Sequence, residues 1–183
     1  CIRDSARTGR FNEDGSVTSF PGSSIPLATL GAFILWLGWF GFNGGSQLAL
    51  GSALDSVAIS NIFINTNLAA AAGVMFAMIT SQILFGKVDI VTALNGAIGG
   101  LVAITAEPLA PSIGAAVFIG GVGGILVALS TPLLLKMKID DVVGAIPAHL
   151  VCGIWGTMIV PLTNGDASYF GQFMGVILSL IHI

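Results

Sequence analysis

The chain has 183 residues, 55% of them hydrophobic and 8% charged, with a mean hydropathy of +0.96; a soluble domain carries roughly 25% charge. Six Lys/Arg and nine Asp/Glu leave a net charge of −3, which excludes the clustered basic surface that nucleic acid requires. The two cysteines, Cys1 and Cys152, provide no disulfide framework.

Residues 1–24 are mostly polar, with a turn expected over Asn12-Glu13-Asp14-Gly15-Ser16, and read as an extramembrane loop. Uncharged runs then follow, each near or above the roughly 20 residues that cross a bilayer. Spans are predicted over Ile25–Gly44, Ile59–Phe85, Ile90–Ala106, Ser112–Leu135, Val142–Leu162 and Ser168–Ile183. The chain opens without Met or a secretory core and stops inside an apolar pattern, so a fragment of a longer protein is expected. The predicted fold class is an all-α polytopic membrane helix bundle, with about five complete spans and an incomplete sixth.

The basic residues set an orientation, because Lys and Arg collect in cytoplasmic loops. Arg3, Arg7 and Arg10 precede the first span, Lys87 joins the second and third, and Lys136 and Lys138 join the fourth and fifth. The alternate loops carry only Asp55, Glu107 and Asp166. Residues 1–24 are therefore expected in the cytoplasm. Gly41/Gly45, Gly96/Gly100 and Gly120/Gly124 have the spacing that lets membrane helices approach closely.

His149 is the one histidine within the spans away from the chain end, and an ionisable residue inside a membrane marks a functional site. Pro147 lacks an N–H, which in a continuous helix deprives the Val143 carbonyl of its donor. Helical stepping puts Asp141, Ala145, His149 and Cys152 on one face, which reads as a pore lining with a carboxylate at its cytoplasmic mouth. For Asp141 the alternative is a charge favouring a helix N-terminus; for Cys152 it is a small buried hydrophobe.

At the outer end of the first span, Leu35, Trp39, Phe42 and Ser46 fall on one helical face and join two aromatic rings to a hydroxyl. Such a set suits a small cation through cation–π attraction and one hydrogen bond. Trp36 and Phe40 read instead as an interfacial belt. The Asn/Thr-rich stretch Ser60 to Asn67 reads as interhelical hydrogen bonding. No phosphate loop, metal-ligand spacing or nucleophile elbow is present, so neither an enzyme nor a cofactor is expected.

Four segments resemble the ammonium transporter (Amt/Mep/Rh) family, and its bacterial Amt branch in particular. Gly38-Trp39-Phe40-Gly41-Phe42-Asn43-Gly44-Gly45-Ser46 is similar to the family's GWFGFN-x-GS stretch. Asn65-Thr66-Asn67-Leu68-Ala69-Ala70-Ala71-Ala72 resembles its NTN-LAAAA helix, and the helix from Asn95 to Ala106 its NG-x-x-x-GLVAITA helix. Asp140-Asp141 through His149 to Thr157 resembles the DDPVGAI-x-x-H-x-VCGIWGT signature. The chain departs from these patterns at Val142 in place of proline, Leu150 in place of glycine, and Glu107-Pro108 in place of Gly-Cys.

The resemblance runs from about Arg7 onward and corresponds to the family's sixth helix through part of its eleventh. It implies a homotrimer with one pore per subunit in the cell membrane, ammonium or ammonia as substrate, and a cytoplasmic P-II regulatory protein as partner. His149 would be the second of the family's paired pore histidines. Leu35, Trp39 and Phe42 would line the pore, with Phe42 at the outer gate and Ser46 in the outer recruitment site. The first pore histidine would belong to helices preceding Cys1. Two other readings stand beside transport: an ammonium-sensing receptor-like protein, and a membrane redox subunit in which His149 and His182 ligate haem.

Overall fold

Short side-chain caps start most of the helices. In a computed structural model describing residues 6–182, with His182 described by its backbone only, α1 is Ile25–Gly45, α2 Ala53–Phe85, α3 Ile90–Thr105 and α4 Ile113–Lys136. A π-helical segment, Ile146–Val151, runs directly into α5, Cys152–Thr163, and α6 is Tyr169–His182. The expectations for Cys1, Arg3, the His182 side chain and Ile183 lie outside the described residues. Ser24, Ser52, Asp89 and Ser112 each accept a backbone N–H from the first turn that follows, satisfying donors that have no partner inside the helix.

The predicted spans match α1, α3, α4 and α6 to within a residue or so, but α2 and the fifth span differ. α2 begins at Ala53, six residues before Ile59, because Ser52 and Asp55 form a reciprocal capping box. At roughly 1.5 Å per residue, its 33 residues reach about 50 Å, well past a hydrocarbon core of about 30 Å. The helix therefore starts before the apolar run does. α1, α2, α4 and the segment Ile146–Thr163 are each long and apolar enough to cross a membrane, while α3 and α6 are apolar but shorter.

α2, α3 and α4 form the centre, with α1 against α2 and α3, α5 against α3 and α4, and α6 against α5. Backbones touch at the glycines: a Cβ at Gly73 would strike the Gly96 carbonyl, one at Gly100 or Gly120 the backbone of Ala69, and one at Gly124 that of Gly73. Ala69, Ala70, Leu101, Ala116 and Val127 are fully buried there. The close approach expected of Gly96/Gly100 and Gly120/Gly124 is thus present. It is absent at Gly41/Gly45, which meet nothing within 4 Å among the described residues and border an open groove shared with Ile59 and Phe63 of α2.

Asn65 Nδ2 donates to the carbonyls of Pro108 (3.0 Å) and Pro111 (2.8 Å), and Asn43 Nδ2 to Thr66 Oγ1 at 3.0 Å. The Asn/Thr stretch therefore ties helices together as its composition suggested. Glu107, at one of the departures from the family pattern, accepts from Leu109 N and Ala110 N, each at 3.2 Å, and from Asn164 Nδ2 at 3.0 Å. That carboxylate joins the α3–α4 connection to the α5–α6 connection.

The loop preceding α1 turns at Asn12 to Ser16, closed by Asn12 N donating to Ser16 O at 3.0 Å and by a Phe11–Val17 bridge. Its arginines reach across the fold to Asp140. Arg7 gives Nε and Nη2 to the two carboxylate oxygens at 2.8 Å and its backbone N at 2.9 Å, and Arg10 Nε lies 3.3 Å away. The Arg7 guanidinium also sits 4.8 Å from the centroid of the Phe20 ring. The hydrogen bonds from Arg7 hold the buried Asp140 carboxyl well below the usual carboxylate range.

Candidate functional site

The chain around His149 is arranged by what precedes it. Gly144 has φ +77°, a left-handed conformation that favours glycine, and a Cβ there would collide with Asn95 Nδ2. The helical run starts just after this turn. Asp141 lies before it and accepts three successive backbone N–H groups, Gly144 N and Ala145 N on Oδ1 at 3.0 Å each and Ile146 N on Oδ2 at 2.7 Å. The next residue, Pro147, has no N–H to satisfy, and Ala148 N donates to Gly144 O at 3.2 Å. Proline in a first turn is compatible with a helix for that reason.

Two expectations change here. Pro147 does not interrupt a helix, since the helix begins only at the π-helical segment; the Val143 carbonyl lies outside it and accepts from Asn95 Nδ2 of α3 at 3.0 Å. Nor do Asp141, Ala145, His149 and Cys152 share a face. The left-handed turn detaches Asp141 from the helix, and i→i+5 bonding rotates the following residues relative to an α-helix. Cys152 is fully buried, with Sγ donating to Gly123 O at 3.3 Å, whereas His149 is exposed.

His149 opens onto a groove of about 440 Å³ between α5 and α6, shared with Leu150, Ile154, Thr157, Val176 and Ser179. Leu150, where the family pattern has glycine, is 42% exposed and lines this groove. The residue before His149, Ala148, is buried in a cluster with Ala70, Ile98 and Leu101. That cluster fixes the backbone from which the imidazole projects.

The same cluster supports the aromatic residues of α1, since Trp36 and Trp39 pack against it. Trp39 Nε1 donates to Thr105 Oγ1 at 2.7 Å, and its ring meets Phe42 edge-to-face, centroids 6.0 Å apart at 65°. Ser46 ends α1, its hydroxyl donating to Phe42 O at 2.8 Å; its oxygen keeps lone pairs for a further donor. Leu35 and Phe42 are exposed, at 54% and 61%. Trp36 stacks on Phe33 and Phe40 meets Phe63 of α2 edge-to-face, so both pack onto other rings.

Sequence reasoning missed Thr105 and Asn95 as partners. Both stand in the helix quoted for its resemblance, and an acceptor for the Trp39 indole and a donor for the Val143 carbonyl were the groups to look for. The pairing of Arg7 and Arg10 with Asp140 was also missed, and no local signal announces it.

Residues 5–179 match the Ammonium Transporter Family. The chain is 42% identical over 163 residues to ammonium transporter Amt2 of Archaeoglobus fulgidus, a match covering 89% of this chain and 34% of that protein. Its fold superimposes on a solved Sensor Amt Protein with a TM-score of 0.87 at 35% identity, covering 95% of this chain and 45% of that one. For Mep2 of Candida albicans the TM-score is 0.73 at 31% identity, covering 81% and 32%. The chain thus spans less than half the length of these relatives. It is a multi-pass membrane protein, and over nearly all its length the chain belongs to the Ammonium Transporter Family.

Proposed function

We propose that the gene-encoded protein carrying this sequence moves ammonium across the cell membrane, recruiting NH₄⁺ outside and passing it inward as NH₃, with the released proton either left to water outside or carried across separately. Moving the cation itself into hydrocarbon costs at least about 2.5–3.5 kcal/mol on insertion scales, and shedding the proton removes that cost. The observation that carries the reading is an accessible imidazole, His149, projecting from the π-helical segment into a groove lined mainly by apolar residues. Neutral imidazole either donates or accepts a hydrogen bond, which suits NH₃. Trp39 and Phe42 supply ring faces, and Ser46 an oxygen, for the cation at the outer end of α1, with Leu35 further along the path. Asp141 contributes by fixing the turn that presents His149. Cytoplasmic residues 1–24, from the distribution of Lys and Arg, and a homotrimer and a P-II partner, by family likeness, complete the reading.

In proteoliposomes given an inward ammonium gradient, the protein is expected to raise uptake above that of empty vesicles; equal rates overturn transport. A sensing role is favoured by the likeness to the Sensor Amt Protein. Saturable ammonium binding without flux would assign that role instead.

A further inference from the structure

The π-helical segment bearing His149 packs against α3 and α4, burying Pro147 and Ala148. On its buried side Ala148 packs against Ile98 and Leu101 of α3, and one turn later Cys152 bonds Gly123 of α4. At its start, the Asp141 carboxylate accepts from the local backbone at Gly144, Ala145 and Ile146. The turn at Val143-Gly144 is tied to α3 by the side chain of Asn95, whose Nδ2 both donates to Val143 O at 3.0 Å and fills the space a Gly144 side chain would need. This hydrogen bond is exposed and Val143 is 67% accessible, so the Asn95 amide orients the turn rather than rescuing a buried carbonyl.

From this geometry we infer that Asn95 is a positioning residue for His149. By pinning the Val143 carbonyl it sets where the left-handed turn at Gly144 ends, and hence the azimuth at which the π-helical segment begins and the imidazole projects. Asn95 lies on α3 and Val143 is six residues before His149, so the effect passes through the backbone. The inference rests on the transport reading of His149.

The test compares Asn95→Ala, His149→Ala and the double variant in the gene-encoded protein in proteoliposomes, measuring the ratio of ammonium to methylammonium uptake. Asn95→Asp, which keeps the shape but replaces the amide donor with an acceptor, covers the case in which the alanine variant fails to fold. Either Asn95 variant is expected to change the ratio by about two- to tenfold, the range carried by one neutral hydrogen bond, and the double variant to match His149→Ala alone. A ratio unchanged in folded Asn95 variants, or an Asn95 effect added in full on top of His149→Ala, overturns the inference. A His149→Ala variant with the wild-type ratio instead overturns the reading of His149 on which it rests.

Discussion

The indole Nε1 of Trp39 donates to Thr105 Oγ1 at 2.7 Å, while the Thr105 hydroxyl donates to Leu101 O at 2.6 Å. This chain of two bonds links the aromatic end of α1 to α3 and leaves the Trp39 ring committed in orientation. Thr105→Val keeps the shape and removes the acceptor. It is expected to cost about 0.5–1.5 kcal/mol, as for one hydrogen bond lost from a part-buried contact, and to raise the half-saturation of ammonium uptake. Thermal unfolding and concentration-dependent uptake check the two parts separately.

Asp141 satisfies three N–H groups at the start of the π-helical segment. Asp141→Ala strips all of them at once and is expected to cost at least the roughly 0.5–2 kcal/mol of a lost N-cap, whereas Asp141→Asn retains one acceptor oxygen and loses less. Hydrogen exchange at residues 144–146 reports the outcome directly, rising most in the alanine variant.

The Asp140 clamp gives a pH dependence of definite sign. Its carboxyl titrates lower in the folded protein than the usual value of about 3.9, so its contribution is complete above that value and is lost only as the pH falls further toward the folded pKa. The difference in melting temperature between the wild type and Asp140→Asn is expected to be constant from about pH 5 to 8 and to shrink below about pH 4. A gap that instead closed between pH 5 and 7 would contradict this assignment.

Gly120 and Gly124 lie against the backbones of Ala69 and Gly73. Gly120→Ala and Gly124→Ala must separate α2 from α4, so each is expected to exceed the roughly 1–3 kcal/mol of ordinary overpacking. Loss of monodisperse protein in size-exclusion chromatography reads this out.

Much of this architecture is legible in sequence because membrane helices announce themselves by hydropathy: α1 begins at the predicted Ile25, and α3 at Ile90. The beginning of α2 is hidden because its cap, Ser52 with Asp55, is polar and precedes the apolar run. The turn before His149 is hidden for another reason. Val142-Val143-Gly144-Ala145 is as apolar as the helix that follows, and only the φ of Gly144 separates them. The small-residue contacts of α2, α3 and α4 follow from spacing, but spacing alone does not distinguish Gly124, against Gly73, from Gly41, which meets nothing. Arg7 and Asp140, 133 residues apart, meet through the path of the whole chain, which no local pattern encodes.

The central claim is that ammonium moves past the His149 imidazole, and the most direct measurement is the ammonium-evoked flux of the wild type and His149→Ala in the same proteoliposomes. The account predicts that the variant changes the rate, the preference for ammonium over methylammonium, or both. Unchanged flux with unchanged preference in a folded His149→Ala protein would contradict it.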